Sequence, residues 1–456
     1  MRRWHMRGGY REVLVVGLPL VASMVSGTVM QFTDRMFLAH HSLEALAASL
    51  SASITNFVFM AFFVGVASYV NVFVAQYTGA GQPERVGRSL WQGLWFSLLA
   101  AGVMALMALP ADGLFALAGH APEVQAMEVA YYRILCWGSG LAVLGMCLST
   151  FYSGRGLTRT VAVVNMVGAA LNIPLDYALI NGVWGFPALG IVGAGIATVI
   201  AWGVTALLFA VLVFTRANEA RFGVLSHWRP DREVFVRLMR FGLPGGAQLF
   251  LDVLGFTVFI LLMGRLGTSE LAASNLVFSL DHFAFMPMVG LHIATETLVG
   301  QALGAGDPAR AEEATRSALH MCLAWAVLLG LIFLLVPGPL VAAFRPADMP
   351  PAQFAPVMEM GRMLLIVVAA YTLFDGMAII HFGALKGAGD TRFVMACQLA
   401  CTLGLQVVPV WLVVEVLGWG VYWCWGLLGL SLAGLATAAR LRYAGGKWKA
   451  MSVITR

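Results

Sequence analysis

Charged side chains are scarce along this chain. Asp, Glu, Lys and Arg make up 11% of its 456 residues, while 60% are hydrophobic and the mean hydropathy is +0.83. A soluble domain has about 25% charged residues. So few charges cannot keep the surface of a globule in water, and the composition therefore excludes an ordinary soluble protein and indicates a protein embedded in a lipid bilayer.

Cysteine is rare as well, and its spacing excludes two kinds of site. None of the cysteines has zinc-finger spacing or forms a plausible extracellular disulfide loop. All of them lie inside apolar segments, where packing in the core is the expected role: Cys136, Cys147, Cys322, Cys397, Cys401 and Cys424.

Nucleotide-binding fingerprints are also lacking. Gly79-Ala80-Gly81 and Gly304-Ala305-Gly306 follow no predicted strand and precede no Gly-Lys-Ser/Thr, so they match neither a dinucleotide site nor a P-loop. We expect both to be glycine turns at the cytoplasmic ends of helices. No cofactor is predicted, and any pumping must draw on an ion gradient.

An internal duplication is present instead. Val74–Pro83 resembles Val299–Pro308 at an offset of 225 residues, and Gly17-Leu18-Pro19 precedes Gly242-Leu243-Pro244 by the same offset. A third pair, Gly154-Arg155-Gly156 and Gly387-Ala388-Gly389, is offset by 233. Landmarks repeated in the same order indicate a half-length unit that occurs twice.

Each half contains six apolar runs of spanning length, and together they predict an all-α membrane protein with twelve transmembrane helices in two pseudo-symmetric lobes. We predict an N-lobe at 1–214, a cytoplasmic linker at 215–240 and a C-lobe with a short basic tail at 241–456. The predicted spans are 13–38, 46–76, 88–110, 126–150, 160–181, 189–214, 241–264, 270–300, 318–343, 357–385, 393–415 and 419–440.

The basic residues predict the orientation. If the N-terminus is cytoplasmic, 23 of the 28 Lys and Arg residues fall on the cytoplasmic side, as the positive-inside rule requires. Both termini are then cytoplasmic, and the N-terminal tail lacks the features of a cleaved signal peptide. This distribution assigns the net positive charge to the membrane surface and argues against nucleic acid as a partner. Because each half has six helices and starts on the same side of the membrane, the two halves are predicted to be parallel repeats. In transporters built from such repeats, a central binding site and rigid-body rocking of one repeat against the other are expected.

Acidic residues inside apolar segments are costly, so each one is a candidate functional residue. In the first half, Asp34 lies about 35 Å along helix 1 and Asp176 about 25 Å along helix 5. Asn165, Asn172 and Asp176 share one face of helix 5. The alternative for Asp34 is an interfacial residue beside Arg35.

The second half has two carboxylates at a similar depth on different helices. Asp252 lies about 18 Å and Asp375 about 16 Å from the cytoplasmic side. Tyr371, one turn before Asp375, is a potential donor to it. Two like charges in a medium of low dielectric favour uptake of a proton or a cation.

Helix 8 contributes Asp281, His292 and Glu296, whose spacings place them on one helix face. They form part of the candidate cation or substrate site of the C-lobe. A structural role remains open, because His292 and Glu296 have the spacing of an ion pair that only stabilises the helix.

Several motifs resemble those of the multidrug and toxic compound extrusion (MATE) transporters, in particular the NorM-like branch, across nearly the whole chain. They are Gly17-Leu18-Pro19 with Thr33-Asp34, Gly79-Ala80-Gly81, Asn172-Ile173-Pro174-Leu175-Asp176, Gln301-Ala302-Leu303-Gly304-Ala305-Gly306 and Gly383-Ala384-Leu385-Lys386-Gly387-Ala388-Gly389-Asp390-Thr391.

The resemblance implies two six-helix lobes and a cation site in each. In the N-lobe, the matching residues of the cation site are Asp34, Asn172, Asp176 and Thr198, with Tyr131 as a looser match. In the C-lobe they are Asp252, Asp375 and Tyr371. Asp252 occupies a position where NorM-like members often have Glu. The shorter side chain leaves undecided whether H⁺ or Na⁺ is the coupling ion. Asp281, His292 and Glu296 lie outside the family pattern.

The expected function is an antiporter of a bacterial inner membrane that exports cationic, amphipathic compounds against inward flow of H⁺ or Na⁺. Its expected partners are the bilayer and small organic cations, it needs no structural metal, and nothing requires more than a monomer. A flippase or exporter of lipid-linked or anionic substrates is the alternative, but the charges within the membrane are mainly acidic. An enzyme is not expected, because neither a metal-ligand set nor a nucleophile with a base is evident.

Overall fold

The computed structural model describes residues 2–117, 119–345 and 349–454. Twelve helices are long and apolar enough to cross a membrane, as predicted, and the described residues form no strand. The long helices are α1 Tyr10–His41, α2 Leu43–Gly79, α3 Glu84–Met107, α4 Pro122–Ser153, α5 Thr158–Asn181, α6 Ile191–Val213, α7 Arg232–Leu266, α8 Thr268–Gly304, α9 Pro308–Leu335, α10 Pro351–Ala388, α11 Thr391–Leu417 and α12 Val421–Ala444.

Several helices extend beyond their predicted apolar cores. One such helix is α7, which begins at Arg232 rather than 241. Asp231 explains this start, since its carboxylate accepts hydrogen bonds from the backbone N–H groups of Glu233 and Val234 and so caps the helix. A helix can extend into polar sequence when its first backbone N–H groups have hydrogen-bond partners. The length of an apolar run alone therefore underestimates the length of the helix.

The predicted linker at 215–240 is largely helical, because it holds the short helix Arg216–Phe222 and the start of α7. Thr215 caps the short helix. After this helix, the chain turns around Glu219, whose carboxylate accepts hydrogen bonds from the backbone N–H groups of Leu225 and Ser226 and from the Ser226 hydroxyl. These bonds stabilise the ionised form and lower the pKa of Glu219.

Two of the long helices are irregular. The α-helical pattern of α2 is interrupted at Tyr69. Within α11, the stretches Thr402–Val407 and Leu412–Leu417 are π-helical. Such turns are rare and often lie at functional sites.

Contacts group the chain into two compact units. The N-terminal unit comprises Leu18–Phe250, Gly300–Gly306 and the described residues after Met451, and the C-terminal unit comprises the described residues up to Gly17, Leu251–Val299 and Asp307–Met451. A few short segments do not group with their predicted lobe. Residues 300–306, for example, belong to the predicted C-lobe but group with the N-terminal unit. The lobe boundaries at 214 and 241 stay a prediction.

In the N-terminal unit, the two copies of the glycine motif lie against each other. A Cβ atom on Gly79 would lie 1.9 Å from the Gln301 carbonyl oxygen, and one on Gly304 would lie 2.1 Å from that of Gln76. Gln76 and Gln301 are separated by the repeat offset of 225, so equivalent residues of the two repeats make reciprocal contacts. The backbones approach so closely that only glycine fits at both positions.

The C-terminal unit uses glycine in the same way between α8 and α10. A Cβ atom on Gly383 would lie 2.8 Å from the His292 carbonyl oxygen, and one on Gly387 would lie 2.6 Å from that of Glu296. The two glycines form a Gly-x-x-x-Gly pair, which allows membrane helices to pack backbone against backbone.

All six cysteines are buried and none forms a disulfide bond. The prediction that they pack in the apolar interior is confirmed.

We expect Gly387→Ala to destabilise the protein by about 1–3 kcal/mol, the usual cost of inserting atoms into a packed interior. The measurement is the midpoint of thermal unfolding in detergent. Gly426→Ala on α12 is the matched control, because no atom lies within 4 Å of its Cβ position and alanine favours a helix by up to about 1 kcal/mol over glycine. Equal midpoints for the two variants would contradict the close contact at Gly387.

Candidate functional site

The N-terminal unit brings together four of the five residues predicted for its cation site. Asn172 and Asp176 are fully buried on α5. Tyr131 on α4 is also buried and interacts electrostatically with both Asp34 on α1 and Asp176. Asp34 and Asp176 in turn interact with each other. Two carboxyl groups from different helices therefore lie close enough to repel each other when both are ionised.

Most polar atoms of this group lack hydrogen bonds. Among the described residues, no hydrogen-bond partner is present for Asp34 Oδ1, for either carboxyl oxygen of Asp176, or for the amide oxygen and nitrogen of Asn172. The Asn172 amide lies beside the Asp176 carboxyl without forming a bond of ordinary geometry. Each buried polar group left unpaired costs about 1–3 kcal/mol, and a charged group costs more. A proton or a small cation bound among these oxygens would remove much of that cost.

Close packing holds α5 in position. The Asn165 amide donates to the Ser23 hydroxyl of α1 at 2.7 Å, and a Cβ atom on Gly193 of α6 would lie 2.5 Å from the Leu179 carbonyl oxygen of α5. Pro174 lies inside α5, two residues before Asp176. It removes one backbone hydrogen bond and leaves a carbonyl oxygen free within the helix.

Thr198 is the fifth predicted residue of this site. It is half-buried on α6. No hydrogen bond in the described part of the chain joins it to Asp176, since both oxygens of that carboxyl are without a partner. Its role as a ligand stays a prediction.

The C-terminal unit brings together Asp252 of α7, Asp281 of α8, and Tyr371 and Asp375 of α10. Asp375 interacts electrostatically with both other carboxyl groups. Tyr371 is buried, whereas Asp252 is exposed and Asp281 and Asp375 are partly exposed. Three acidic side chains thus share one region, and Asp281 belongs to it although the family pattern does not include it.

The expectation that Tyr371 donates to Asp375 differs from the structure, where Tyr371 forms its side-chain hydrogen bond with Asp281. Long side chains on a helix point back toward its N-terminus. Tyr371 therefore extends away from the turn that carries Asp375, although it still interacts electrostatically with that carboxyl group.

An aromatic layer adjoins these acids. Trp425 of α12 stacks on Phe278 with ring centres 4.4 Å apart and lies parallel to Tyr371 at 6.5 Å. Phe259 meets Trp425 edge to face at 5.8 Å. Tyr371 belongs to both groups and links the aromatic layer to the carboxyl groups. All four rings are buried in the apolar core of the C-terminal unit, so the layer packs the region around the acids.

His292 and Glu296 of α8 contact each other and α10. The His292 ring bonds to the Ile379 carbonyl oxygen of α10 at 2.6 Å, and its other nitrogen lies 3.7 Å from a Glu296 carboxyl oxygen. Lys386 interacts electrostatically with His292. These contacts lie where α8 meets Gly383 and Gly387, and whether His292 and Glu296 have a structural or a functional role stays open.

Gln398 on α11 was missed by the sequence reasoning. Its amide nitrogen donates to Asp252 Oδ1 at 3.2 Å. The available signal was a polar residue at every fourth position, Gln398, Thr402 and Gln406, within an otherwise apolar span.

The acidic clusters of the N-terminal and C-terminal units both offer carboxyl oxygens, which can bind cations or exchange protons. In the part of the chain that the structure describes, no cluster of three His, Cys, Asp or Glu side chains has the geometry to hold a metal ion. Carboxylates at separate positions can instead take up protons or bind cations one at a time.

The chain matches the MatE family over residues 19–178 and 244–412. It is 32% identical to the probable multidrug resistance protein NorM of Rhizobium meliloti, over 95% of this chain and 92% of that protein. The multidrug resistance protein NorM of Burkholderia vietnamiensis is also 32% identical, over 93% and 91% of the two chains.

Two solved structures share the fold. A MOP superfamily transporter from Pyrococcus furiosus, described as having a binding pocket of reverse polarity, superposes with a TM-score of 0.87, 19% identity and 96% coverage of both chains. An outward-facing multidrug resistance MATE family transporter of the same superfamily gives the same TM-score, identity and coverage.

The twelve spans, the duplicated halves, the match to the family in both halves and the relatives that cover nearly the whole chain lead to one conclusion. This chain belongs to the MatE family of membrane transporters and is not an enzyme.

Proposed function

We propose that the protein is a secondary antiporter that exports cationic, amphipathic compounds and draws its energy from inward flow of H⁺ or Na⁺. The single observation that supports this proposal most is the pair Asp34 and Asp176, in which Asp34 Oδ1 and both Asp176 carboxyl oxygens are buried without a hydrogen-bond partner among the described residues. The two relatives described above are named as multidrug resistance proteins, which supports the substrate class.

Competition for negative charge supplies the coupling. A cationic substrate and a coupling ion both lower the energy of a buried carboxylate, so occupation by one weakens binding of the other. Net inward movement of one charge through 100 mV, which requires more positive charge to enter with the coupling ions than leaves with the substrate, supplies about 2.3 kcal/mol, enough for roughly fiftyfold accumulation.

The two candidate sites have different surroundings. We assign cation coupling to the N-terminal site of Asp34, Asn172, Asp176, Thr198 and Tyr131, because buried polar atoms of Asp34, Asn172 and Asp176 lack hydrogen-bond partners in the described structure. We assign cation or substrate binding to the C-terminal site, whose partly exposed acids adjoin an aromatic layer. Its proposed residues are Asp252, Asp281, Asp375, Tyr371, Glu296 and His292.

The proposed setting is the inner membrane of a bacterium, with both termini in the cytoplasm and one chain as the working unit. The bias of Lys and Arg supports the orientation, and the bacterial origin of the two relatives supports the membrane.

The direct test is efflux of a fluorescent organic cation from liposomes that contain the purified protein, with a proton gradient or a sodium gradient imposed separately. We expect one gradient to drive efflux, because occupation of the carboxyl groups by the coupling ion releases the substrate. Transport of an anionic or lipid-linked compound, with no cation moved by either gradient, would contradict the proposal.

At the N-terminal site, we expect Asp34→Asn and Asp176→Asn each to reduce gradient-driven efflux at least about tenfold, because a neutral amide cannot exchange a proton or hold a cation charge. Asp112→Asn is the control, since Asp112 is exposed and pairs with Arg133 outside the site. Efflux that falls equally in the control, or stays at the wild-type rate in both site variants, would refute the assignment.

At the C-terminal site, the hydrogen bond between Tyr371 and Asp281 predicts that Tyr371→Phe and Asp281→Asn change the substrate affinity by similar factors. Because paired residues act as a unit, the double variant should change it less than the product of the two single effects. Titration of substrate binding by fluorescence on the four proteins measures this coupling. Independent effects would show that Tyr371 and Asp281 do not act together.

A further inference from the structure

Three polar side chains form a stripe along α11. Gln398, Thr402 and Gln406 follow one another at intervals of four residues and are 4%, 3% and 9% exposed. Two of them bond to α7, Gln398 to the Asp252 carboxyl and Gln406 to the Gly255 carbonyl oxygen. The stripe therefore faces the helix that carries one of the three aspartates.

Both N–H groups of the Gln398 amide are used. One donates to Asp252 Oδ1 at 3.2 Å and the other to the Thr402 hydroxyl oxygen at 3.1 Å. With both donors engaged, the amide nitrogen is held toward the carboxyl group. A donor of this kind stabilises an ionised carboxylate that has no cation bound.

The backbone brings α11 close to α7 at this point. A Cβ atom on Gly255 would lie 2.5 Å from the Thr402 methyl carbon, so the absence of a side chain at Gly255 allows the contact. The π-helical stretch Thr402–Val407 begins at the same residue. Both features belong to the segment that presents Gln398 to Asp252.

The charged groups that act on Asp252 come from another helix. Lys386 and Asp375, both on α10, interact with it electrostatically. Gln398 is the hydrogen-bond donor that the described structure provides from α11. Asp252 thus lies between the charges of α10 and a neutral donor on α11.

We propose that Gln398 is a positioning residue that orients the Asp252 carboxyl group and sets the affinity of the C-terminal site for the coupling cation. This inference rests on the proposed antiport function and adds α11 to the elements that build the site. Because Gln398 stabilises the empty carboxylate, it weakens cation binding and favours release.

The test compares Gln398→Leu with Gln406→Leu. Both variants remove one amide bond between α11 and α7, but only the first bond ends on a carboxyl group. We measure the concentration of coupling cation that gives half-maximal exchange in liposomes, together with the maximal rate and the thermal unfolding midpoint.

Gln398→Leu should lower the half-maximal cation concentration about tenfold, the low end for loss of a hydrogen bond to a charged group. Gln406→Leu should leave it unchanged, and the unfolding midpoints of the two variants should be similar. In an Asp252→Asn background, Gln398→Leu should have no further effect on that concentration. An unchanged or raised value in Gln398→Leu, or an equal shift in Gln406→Leu, would overturn the proposal.

A second measurement does not depend on transport. Infrared difference spectra of the purified protein follow protonation of its carboxyl groups, and the Asp252→Asn variant identifies the Asp252 band. Gln398→Leu should shift the midpoint of that band, and Gln406→Leu should not. If wild-type liposomes show no ion-driven exchange, the proposed function fails, and this spectrum still decides whether Gln398 acts on Asp252. An unshifted midpoint overturns the positioning role.

Discussion

The cost of placing carboxyl groups inside a membrane protein is the constraint on which the rest of this structure depends. An ionised side chain in low dielectric is tolerated only with a partner, a proton or a cation. Asp34 and Asp176 have buried oxygens without hydrogen-bond partners. A mobile ion that binds and leaves during transport would be the missing partner of these oxygens and would explain why the carboxyl groups lie there.

Close helix packing makes such sites possible. Glycine at 193, 255, 383 and 387 lets neighbouring helices approach closely enough that an added Cβ atom would clash. Side chains such as Asn165 and Gln406 then bridge adjacent helices. In a bilayer, where apolar side chains gain little from one another, this combination of small residues and polar bridges stabilises helix association.

The C-terminal acids differ from the N-terminal pair in their surroundings. Each has an identified neighbour: Gln398 bonds to Asp252, Tyr371 bonds to Asp281, and Asp375 interacts with both other carboxyl groups. Trp425 and Phe278 stack next to Tyr371. The N-terminal site thus contains carboxyl and amide atoms without hydrogen-bond partners in the described structure, whereas the C-terminal site combines paired acids with a buried aromatic layer. This contrast is the basis for assigning cation coupling to the N-terminal site and cation or substrate binding to the C-terminal site.

The sequence by itself determined the membrane class, the twelve spans, the duplication and the family, because these follow from apolar run length and from motifs that recur in order. It also singled out Asp34, Asp176, Asp252 and Asp375, since an acid in an apolar run is conspicuous. Only the tertiary structure decided that Tyr371 bonds to Asp281 and that Gln398 supports Asp252. Those contacts join helices far apart in the chain, and rotation of each helix about its axis is set by packing against its neighbours, which local spacing does not encode.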